Sequence, residues 1–183
     1  MINVNWPARV GAALFVTISS GVFAAPVFAA GTDGAASVSG TKVRFKAGTK
    51  VANRVVITRK GTIVTVDDRV KVRAGKGCKA VKGDKTKVRC TVKKGPTRVN
   101  VWLYDRNDSV VNNSGLPMSA EGGSGKDRLV GGSRNDVLYG MSGADRLYGM
   151  GGNDRLDADT GNDTLYGGNG IDVLAGWAGK DVL

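Results

Sequence analysis

Seven aspartates recur every nine residues near the C-terminal end of this sequence, and a carboxylate is a hard oxygen ligand of the kind that calcium prefers. The aspartates are Asp127, Asp136, Asp145, Asp154, Asp163, Asp172 and Asp181. A leucine follows each of them two residues later. Two residue types that stay in phase without a slip indicate an internal repeat rather than chance. The aspartates are therefore candidate metal ligands of a repeated unit.

Glycines stand at fixed positions around each aspartate, so that the unit reads G-G-x-G-x-D-x-L-x. Glycine at the first, second and fourth positions predicts a tight turn with positive φ angles. The x-Leu-x segment predicts a strand so short that its leucine points into a core and its neighbours point out. We expect two units, eighteen residues, to complete one coil, which stacks aspartates eighteen residues apart. The sequence thus predicts a parallel β-roll of seven nonapeptide repeats over residues 116–183.

This unit resembles the calcium-binding RTX nonapeptide repeat, whose signature is G-G-x-G-x-D-x-U-x. The resemblance covers about a third of the chain. In that family, calcium is bound in the turns by the aspartate side chain and by glycine and neighbouring carbonyls. The resemblance implies that the seven aspartates bind calcium together with the fourth-position glycines, which are Gly125, Gly143, Gly152, Gly161, Gly170 and Gly179. The chain is also similar to small exported bacterial calcium-binding proteins.

Departures from the repeat predict weaker sites and one additional rung. Arg134 replaces a fourth-position glycine, and Ala158 replaces a first-position one. Residues 105–110 resemble the repeat unit and lie nineteen residues before the first matching unit, one residue out of phase with the eighteen-residue coil. We call this segment a rung, and we expect it to dock the preceding β domain onto the roll. The alternative for the whole array is a metal-free β-solenoid. Seven like charges stacked on two edges repel without counterions, which disfavours that alternative.

Residues 41–103 alternate between apolar and polar side chains in short stretches separated by turn residues. This pattern predicts about six half-buried strands and hence a small antiparallel β domain over residues 30–115. The predicted strands cover residues 42–46, 51–57, 62–66, 70–73, 88–92 and 98–102. Cys78 and Cys90 lie in this domain, and in an exported protein we expect them to form a disulfide. Two free thiols in a small core are the alternative.

Charge is distributed unevenly between these segments. Residues 31–115 carry 20 basic and 6 acidic side chains, a sum of +14, whereas residues 116–183 carry 6 basic and 10 acidic, a sum of −4. The basic segment predicts either a solvated surface or a patch for an acidic cell-envelope polymer. Aromatic residues, on which bases would stack, are nearly absent there, so we expect no nucleic-acid partner.

Residues 1–29 have the layout of a secretory signal peptide, with Arg9, an apolar run and a small-residue end. An uncleaved membrane anchor is the alternative. No other segment is apolar enough to span a bilayer, so we expect a secreted, extracellular chain without a membrane span in its mature form.

The sequence contains no histidine, which excludes Ser-His-Asp, Cys-His and H-E-x-x-H chemistry. We expect an all-β protein that is not an enzyme and that acts as a calcium-dependent structural or binding module. The alternatives are an accessory or secretion module of an extracellular enzyme system, and an adhesin that binds polyanions through its basic domain. The final strand, residues 181–183, also predicts fraying or end-to-end self-association.

Overall fold

The computed structural model describes residues 31–183, and this part of the chain consists of β-strands and connecting turns without a helix. The predicted signal peptide, residues 1–29, lies outside the described residues. Within residues 31–183, no helix is long and apolar enough to cross a membrane. The strands are β1 (Gly34–Ser39), β2 (Lys42–Lys46), β3 (Arg54–Lys60), β4 (Ile63–Asp67), β5 (Val72–Ala74), β6 (Cys78–Val81), β7 (Asp84–Thr91), β8 (Arg98–Trp102), β9 (Ser109–Asn113), β10 (Met118–Ser124), β11 (Arg128–Gly132), β12 (Val137–Ser142), β13 (Arg146–Gly151), β14 (Arg155–Thr160), β15 (Thr164–Asn169) and β16 (Val173–Ala175).

The strands form two eight-stranded sheets. The first sheet has the order β16-β14-β12-β10-β8-β2-β1-β5, and the second has the order β15-β13-β11-β9-β3-β4-β7-β6. From β10 onward the chain alternates between the two sheets, and every pair within a sheet is parallel. This alternation is the parallel β-roll that the repeats predict.

The register of these parallel pairs is eighteen residues. Leu129 pairs with Leu147, and Leu147 pairs with Leu165, in the second sheet. Two nine-residue units therefore make one coil, as the sequence predicts. The unit that contains Asp181 forms no strand and contributes two isolated bridges, between Thr160 and Ala178 and between Thr164 and Val182.

The repeat leucines fill the space between the two sheets. Five of them are buried: Leu129, Leu138, Leu147, Leu156 and Leu165. Burial of one such side chain contributes about 1.5–3 kcal/mol. Leu174 is partly buried against the same core and Leu183 is exposed, so the apolar contribution decreases over the last coil.

The basic segment is not the purely antiparallel domain that its alternation predicts. Four of its strand pairs are antiparallel, β1 with β2, β3 with β4, β4 with β7 and β6 with β7. However, β2 pairs in parallel with β8, and β3 pairs in parallel with β9. The strands β8 and β9 in turn pair in parallel with β10 and β11. Both sheets are thus continuous across residue 115, and the backbone groups at the first edge of the roll are hydrogen-bonded.

All six predicted strands are present in the basic segment. Three further strands, β1, β6 and β9, were not predicted as strands, although β9 overlaps the predicted rung at residues 105–110. The bounds of β2 and β8 agree with the prediction, while β3, β4, β5 and β7 are shifted by a few residues. β1 has the sequence GAASVS, in which small residues hide the alternation. β6 contains four residues, which is too short for a periodic signal.

A disulfide joins Cys78 and Cys90, as predicted. The two cysteines face each other in the antiparallel pair of β6 and β7. Because β6 is the outermost strand of the second sheet and has β7 as its one partner in that sheet, the crosslink fastens an edge. In the chain-entropy treatment, a bridge over a loop of this length contributes about 3 kcal/mol.

Candidate metal centre

The repeat aspartates form two hydrogen-bonded rows along the edges of the roll. In each row, Oδ1 of one aspartate accepts the backbone N–H of the aspartate eighteen residues earlier. In the first row, Asp127 donates to Asp145 at 2.7 Å, Asp145 to Asp163 at 2.7 Å and Asp163 to Asp181 at 2.9 Å. In the second row, Asp136 donates to Asp154 at 2.8 Å and Asp154 to Asp172 at 2.8 Å. One carboxylate oxygen of each acceptor is therefore committed to the neighbouring coil.

The second carboxylate oxygen is left without a partner at four of these residues. Oδ2 of Asp127, Asp145, Asp154 and Asp163 is buried and accepts no hydrogen bond. Asp136 differs, because its Oδ2 accepts the N–H of Gly132 at 2.6 Å. A buried acceptor without a donor is unfavourable by about 1–3 kcal/mol, and more when it is charged. These oxygens are suited to a cation rather than to the surrounding protein.

At three of these four residues, Asp127, Asp145 and Asp154, the first-position glycine leaves a small space beside Oδ2, whereas the first position before Asp163 is Ala158. A Cβ atom built on Gly140 would lie 2.6 Å from Asp145 Oδ2 and 2.9 Å from the carbonyl oxygen of Ala158. A Cβ on Gly122 would lie 2.5 Å from Asp127 Oδ2 and 2.8 Å from the carbonyl oxygen of Gly140. A carboxylate oxygen and a carbonyl oxygen of the next coil thus converge on each space. Two hard oxygen donors in such a cradle suit calcium.

Glycine is required at the first and fourth positions for different reasons. The sequence predicts positive φ angles at the first, second and fourth positions, but the first-position glycines do not adopt them. They are required because any side chain would displace the aspartate. The fourth-position glycines do have positive φ, as at Gly143 with φ 132°, where a Cβ would also collide with the carbonyl oxygen of Gly125. The structure places them in the turns, and their role as carbonyl ligands stays a prediction.

The left-handed backbone persists at second positions even where the glycine is lost. Met141, Met150, Asp159 and Trp177 have φ angles of 77°, 79°, 70° and 64°. Such angles are uncommon for residues with a Cβ. The turn geometry is therefore imposed by the coil and not by the local sequence alone.

Carbonyl groups must supply most ligands of any cation held here. Within residues 31–183, no group of three or more histidine, cysteine, aspartate or glutamate side chains is positioned to hold a metal ion. Calcium accepts backbone carbonyls and water together with one or two carboxylates, which distinguishes it from metals that need side-chain clusters. The oxygen donors beside the aspartate rows fit calcium in this respect.

Burial raises the pKa values of the row aspartates. The pKa of Asp127 is raised to about 7, first by burial and further by the charges of Asp145 and Asp108. Burial likewise raises the pKa values of Asp136 and Asp145 to about 6 and raises that of Asp154. Without a cation, the carboxyl groups of Asp127, Asp136 and Asp145 are thus partly protonated near neutral pH.

We expect the calcium-free protein to lose stability as the pH rises from 5 to 8. A carboxyl group whose pKa is higher in the folded chain than in the unfolded chain binds its proton more tightly when folded. Its stabilising contribution is complete below the unfolded pKa of about 4 and is lost as the pH passes through the folded values of about 6 to 7. Urea unfolding in chelator at pH 5 and pH 8 measures this change.

Calcium should reverse that pH dependence, because binding requires the ionised carboxylate. The difference between the urea midpoints in calcium and in chelator should therefore widen from pH 5 to pH 8. A midpoint in chelator that rises over this range would show that the buried carboxyl groups are not the ones described.

The first row extends beyond the repeats at its N-terminal end. Asp108 donates its N–H to Asp127 Oδ1 at 2.8 Å, and its own Oδ1 accepts the N–H of Asn53 at 2.6 Å. Asp108 belongs to the rung at residues 105–110, which docks the basic segment onto the roll as predicted. The participation of Asn53 was not predicted, because it lies 55 residues from Asp108 and outside any repeat.

A comparison with protein families supports this assignment of the rows. The family model described as RTX calcium-binding nonapeptide repeat (4 copies) matches residues 121–156 and 157–183. No curated protein and no solved structure matches the chain significantly. The match covers the two aspartate rows and the coils between them. Residues 121–183 therefore consist of nonapeptide repeats of the RTX type.

Proposed function

We propose that this chain is an exported calcium-binding protein whose repeats fold around calcium ions and form a structural or binding module. The observation that carries the proposal is the set of buried carboxylate oxygens without hydrogen-bond partners on both edges of the roll. Three of them, in Asp127, Asp145 and Asp154, lie beside a carbonyl oxygen of the next coil where the first-position glycine leaves room. The proposed ligands are the seven repeat aspartates together with carbonyl groups of the turns, including those of the fourth-position glycines.

The two carboxylate oxygens of the repeat aspartates have different roles in this proposal. Oδ1 of each aspartate holds the N–H of the preceding coil and so fixes the spacing of the coils. In Asp127, Asp145 and Asp154, Oδ2 and the adjacent carbonyl oxygen remain available in the cradle. A calcium ion bound there supplies positive charge that offsets the repulsion between stacked carboxylates. The role of the ion is thus structural.

Counting the spaces between coils predicts the number of ions. Four aspartates in the first row leave three spaces, and three aspartates in the second row leave two. Calorimetric titration of calcium into chelator-treated protein should therefore reveal several sites per chain. A single ion per chain would contradict shared binding between stacked coils.

We infer no catalytic role for the chain. The proposal is supported by the absence of histidine from the sequence and by the structural use of the repeat aspartates in backbone hydrogen bonds. Secretion is proposed from the signal-like residues 1–29. An extracellular medium would supply calcium at the concentrations that weak sites need.

An acidic cell-envelope polymer is the proposed partner of the basic segment. Lys79 lies directly across from Arg89 in the pair of β6 and β7, and both side chains are exposed. Like charges directly opposite in a sheet are unfavourable, and a bound polyanion would relieve the repulsion. Lys82 and Lys85 are exposed in the connecting hairpin and add to the same positive potential.

Self-association through the last coil is the second proposed contact. Ile171 is 80% exposed, Trp177 is 72% exposed and Val173 is 56% exposed. Large apolar side chains concentrated in one coil are typical of a surface that contacts another molecule. A second copy of the chain, stacked end to end, would continue both sheets.

A further inference from the structure

Two buried aspartates outside the repeats lie on either side of the start of β3. Asp108 precedes β9 and Asp68 follows β4, and the order of the second sheet places β3 between β9 and β4. The carboxylate of Asp108 approaches the start of β3 from the side of β9, and that of Asp68 approaches it from the side of β4. This place is the N-terminal end of the first aspartate row, beyond the matched residues 121–183.

Both carboxylates are fixed by consecutive backbone amides. Asp108 Oδ1 accepts the N–H of Asn53 at 2.6 Å, and Asp68 Oδ1 accepts the N–H of Arg54 at 2.7 Å. Asp68 Oδ1 also accepts the N–H of Arg69 at 2.7 Å. In each carboxylate, Oδ1 is committed to the backbone, as it is in the repeats. Oδ2 of both residues is buried and has no hydrogen-bond partner.

The side chain of Asn53 adds a third oxygen of the same kind. Its Nδ2 donates to the carbonyl oxygens of Gly48 and Val51 at 3.2 and 3.0 Å and to Asp108 Oδ1 at 3.4 Å, which fixes the orientation of the amide. Its Oδ1 is buried and has no partner. Asn53, Asp68 and Asp108 are 2%, 4% and 3% exposed. Three buried oxygen acceptors without hydrogen-bond partners thus lie around one strand start, where a bound cation would satisfy them.

The charged side chains around the start of β3 leave this region negatively charged. Arg69 directs its Nε to the carbonyl oxygen of Ala52, while its charge acts on Asp68 as a minor influence that lowers the pKa. Asp105 holds the N–H of Lys50 through Oδ1 at 2.6 Å and adds a further carboxylate near Asp108. Burial, followed by the charges of Asp68 and Asp105, raises the pKa of Asp108 to about 6.

We propose that Asn53, Asp68 and Asp108 form an additional calcium site, which closes the N-terminal end of the first aspartate row. The amide oxygen and the two Oδ2 atoms are hard donors of the type that calcium binds, and water completes its shell. The site ties three neighbouring strands of the second sheet, β4, β3 and β9, together at one end. It does not depend on calcium binding by the repeats.

Replacement of Asp68 by asparagine tests the site in the full-length protein. Asp68→Asn keeps an Oδ1 acceptor for Arg54 and removes the charge of the carboxylate. Asp67→Asn is the matched control, because Asp67 is the adjacent residue and pairs with Lys87 at 3.0 Å outside the site. In calorimetric titrations with calcium chloride, Asp68→Asn should bind one ion fewer per chain, and Asp67→Asn should bind as many as the wild type. An unchanged ion count in Asp68→Asn would overturn the site.

A measurement on the unmodified chain covers the case in which Asp68→Asn does not fold. The amide signals of Asn53 and Arg54 in nitrogen–proton correlation spectra should shift on addition of calcium, in addition to those of the repeat aspartates. Repeat signals that shift while these two stay fixed would refute the additional site and leave the proposed function intact. Shifts confined to these two amides would support the site and refute calcium binding by the repeats.

Discussion

Asp145→Asn should stabilise the calcium-free protein at pH 8 and destabilise the calcium-loaded protein. Asp145 lies in the middle of the first row, and its buried Oδ2 has no partner. In chelator, asparagine removes an uncompensated buried charge while keeping an oxygen for the N–H of Asp127. Its Nδ2 group can donate to the carbonyl oxygen of Ala158, which lies in the same cradle.

In calcium, the same substitution removes a ligand. One site filled at one hundred times its dissociation constant adds about 2.7 kcal/mol to the free energy of unfolding. For a chain of this size, its loss lowers the melting temperature by about 5–10 °C. Thermal unfolding followed by circular dichroism, in chelator and in millimolar calcium, measures both effects.

Asp157→Asn is the matched control for this charge change. Asp157 lies on the same roll, where it accepts the Trp177 Nε1–H at 2.7 Å and pairs with Arg155 at 3.2 Å. An exposed pair of this kind contributes about 0–1 kcal/mol. Asp157→Asn should therefore change the melting temperature little, and equally in both conditions. Destabilisation by Asp145→Asn in chelator as well as in calcium would show that the carboxylate is needed for something other than a cation.

Gly143→Ala should be severely destabilising in calcium and in chelator alike. Gly143 has a φ angle of 132°, which alanine rarely adopts, and its Cβ would collide with the carbonyl oxygen of Gly125 in the preceding coil. The backbone conformation alone costs about 1–3 kcal/mol. Relief of the collision requires the two coils to separate, which breaks the parallel pairing around them. We expect a loss of roughly 3 kcal/mol or more, measured by urea unfolding in saturating calcium.

Gly151→Ala provides the control within the same array. Gly151 lies in β13 without a positive φ angle, and the nearest atoms to a Cβ there, the carbonyl oxygen of Gly132 and the Cα of Ser133, are both 3.9 Å away. Alanine should be tolerated at this position and should change the urea midpoint little. Equal losses for the two substitutions would mean that close stacking of the fourth-position glycines does not determine stability.

The repeat region could be predicted from sequence because one period governs all of its features. The nine-residue spacing locates the buried leucines, the aspartate rows and the eighteen-residue register, which the pairing of Leu129 with Leu147 confirms. The nine-residue spacing does not show why glycine is needed at the first position of each unit. This requirement arises from contact with an aspartate five residues later and a carbonyl group of the next coil, which is a property of the stacked structure.

The basic segment was harder to predict because alternation specifies a half-buried strand but not its partner. The strands β2 and β3 alternate clearly, yet nothing in their sequences shows that they pair in parallel with β8 and β9, more than fifty residues away. Because Asn53 and Asp108 are also separated by 55 residues, the sequence does not show that they lie next to each other. Asp68, which joins them through the adjacent amide of Arg54, lies in a turn signal that predicts only a change of direction.

Hydrogen exchange of residues 116–183 with and without calcium tests the central claim most directly, namely that calcium orders the aspartate rows. The relevant amides are those that donate to aspartate Oδ1 atoms, such as Asp127, Asp136 and Asp145. At pH 8 in millimolar calcium these amides should be strongly protected, and in chelator they should exchange much faster. Strong and equal protection in both conditions would contradict calcium-dependent folding and would show that the leucine core alone holds the roll together.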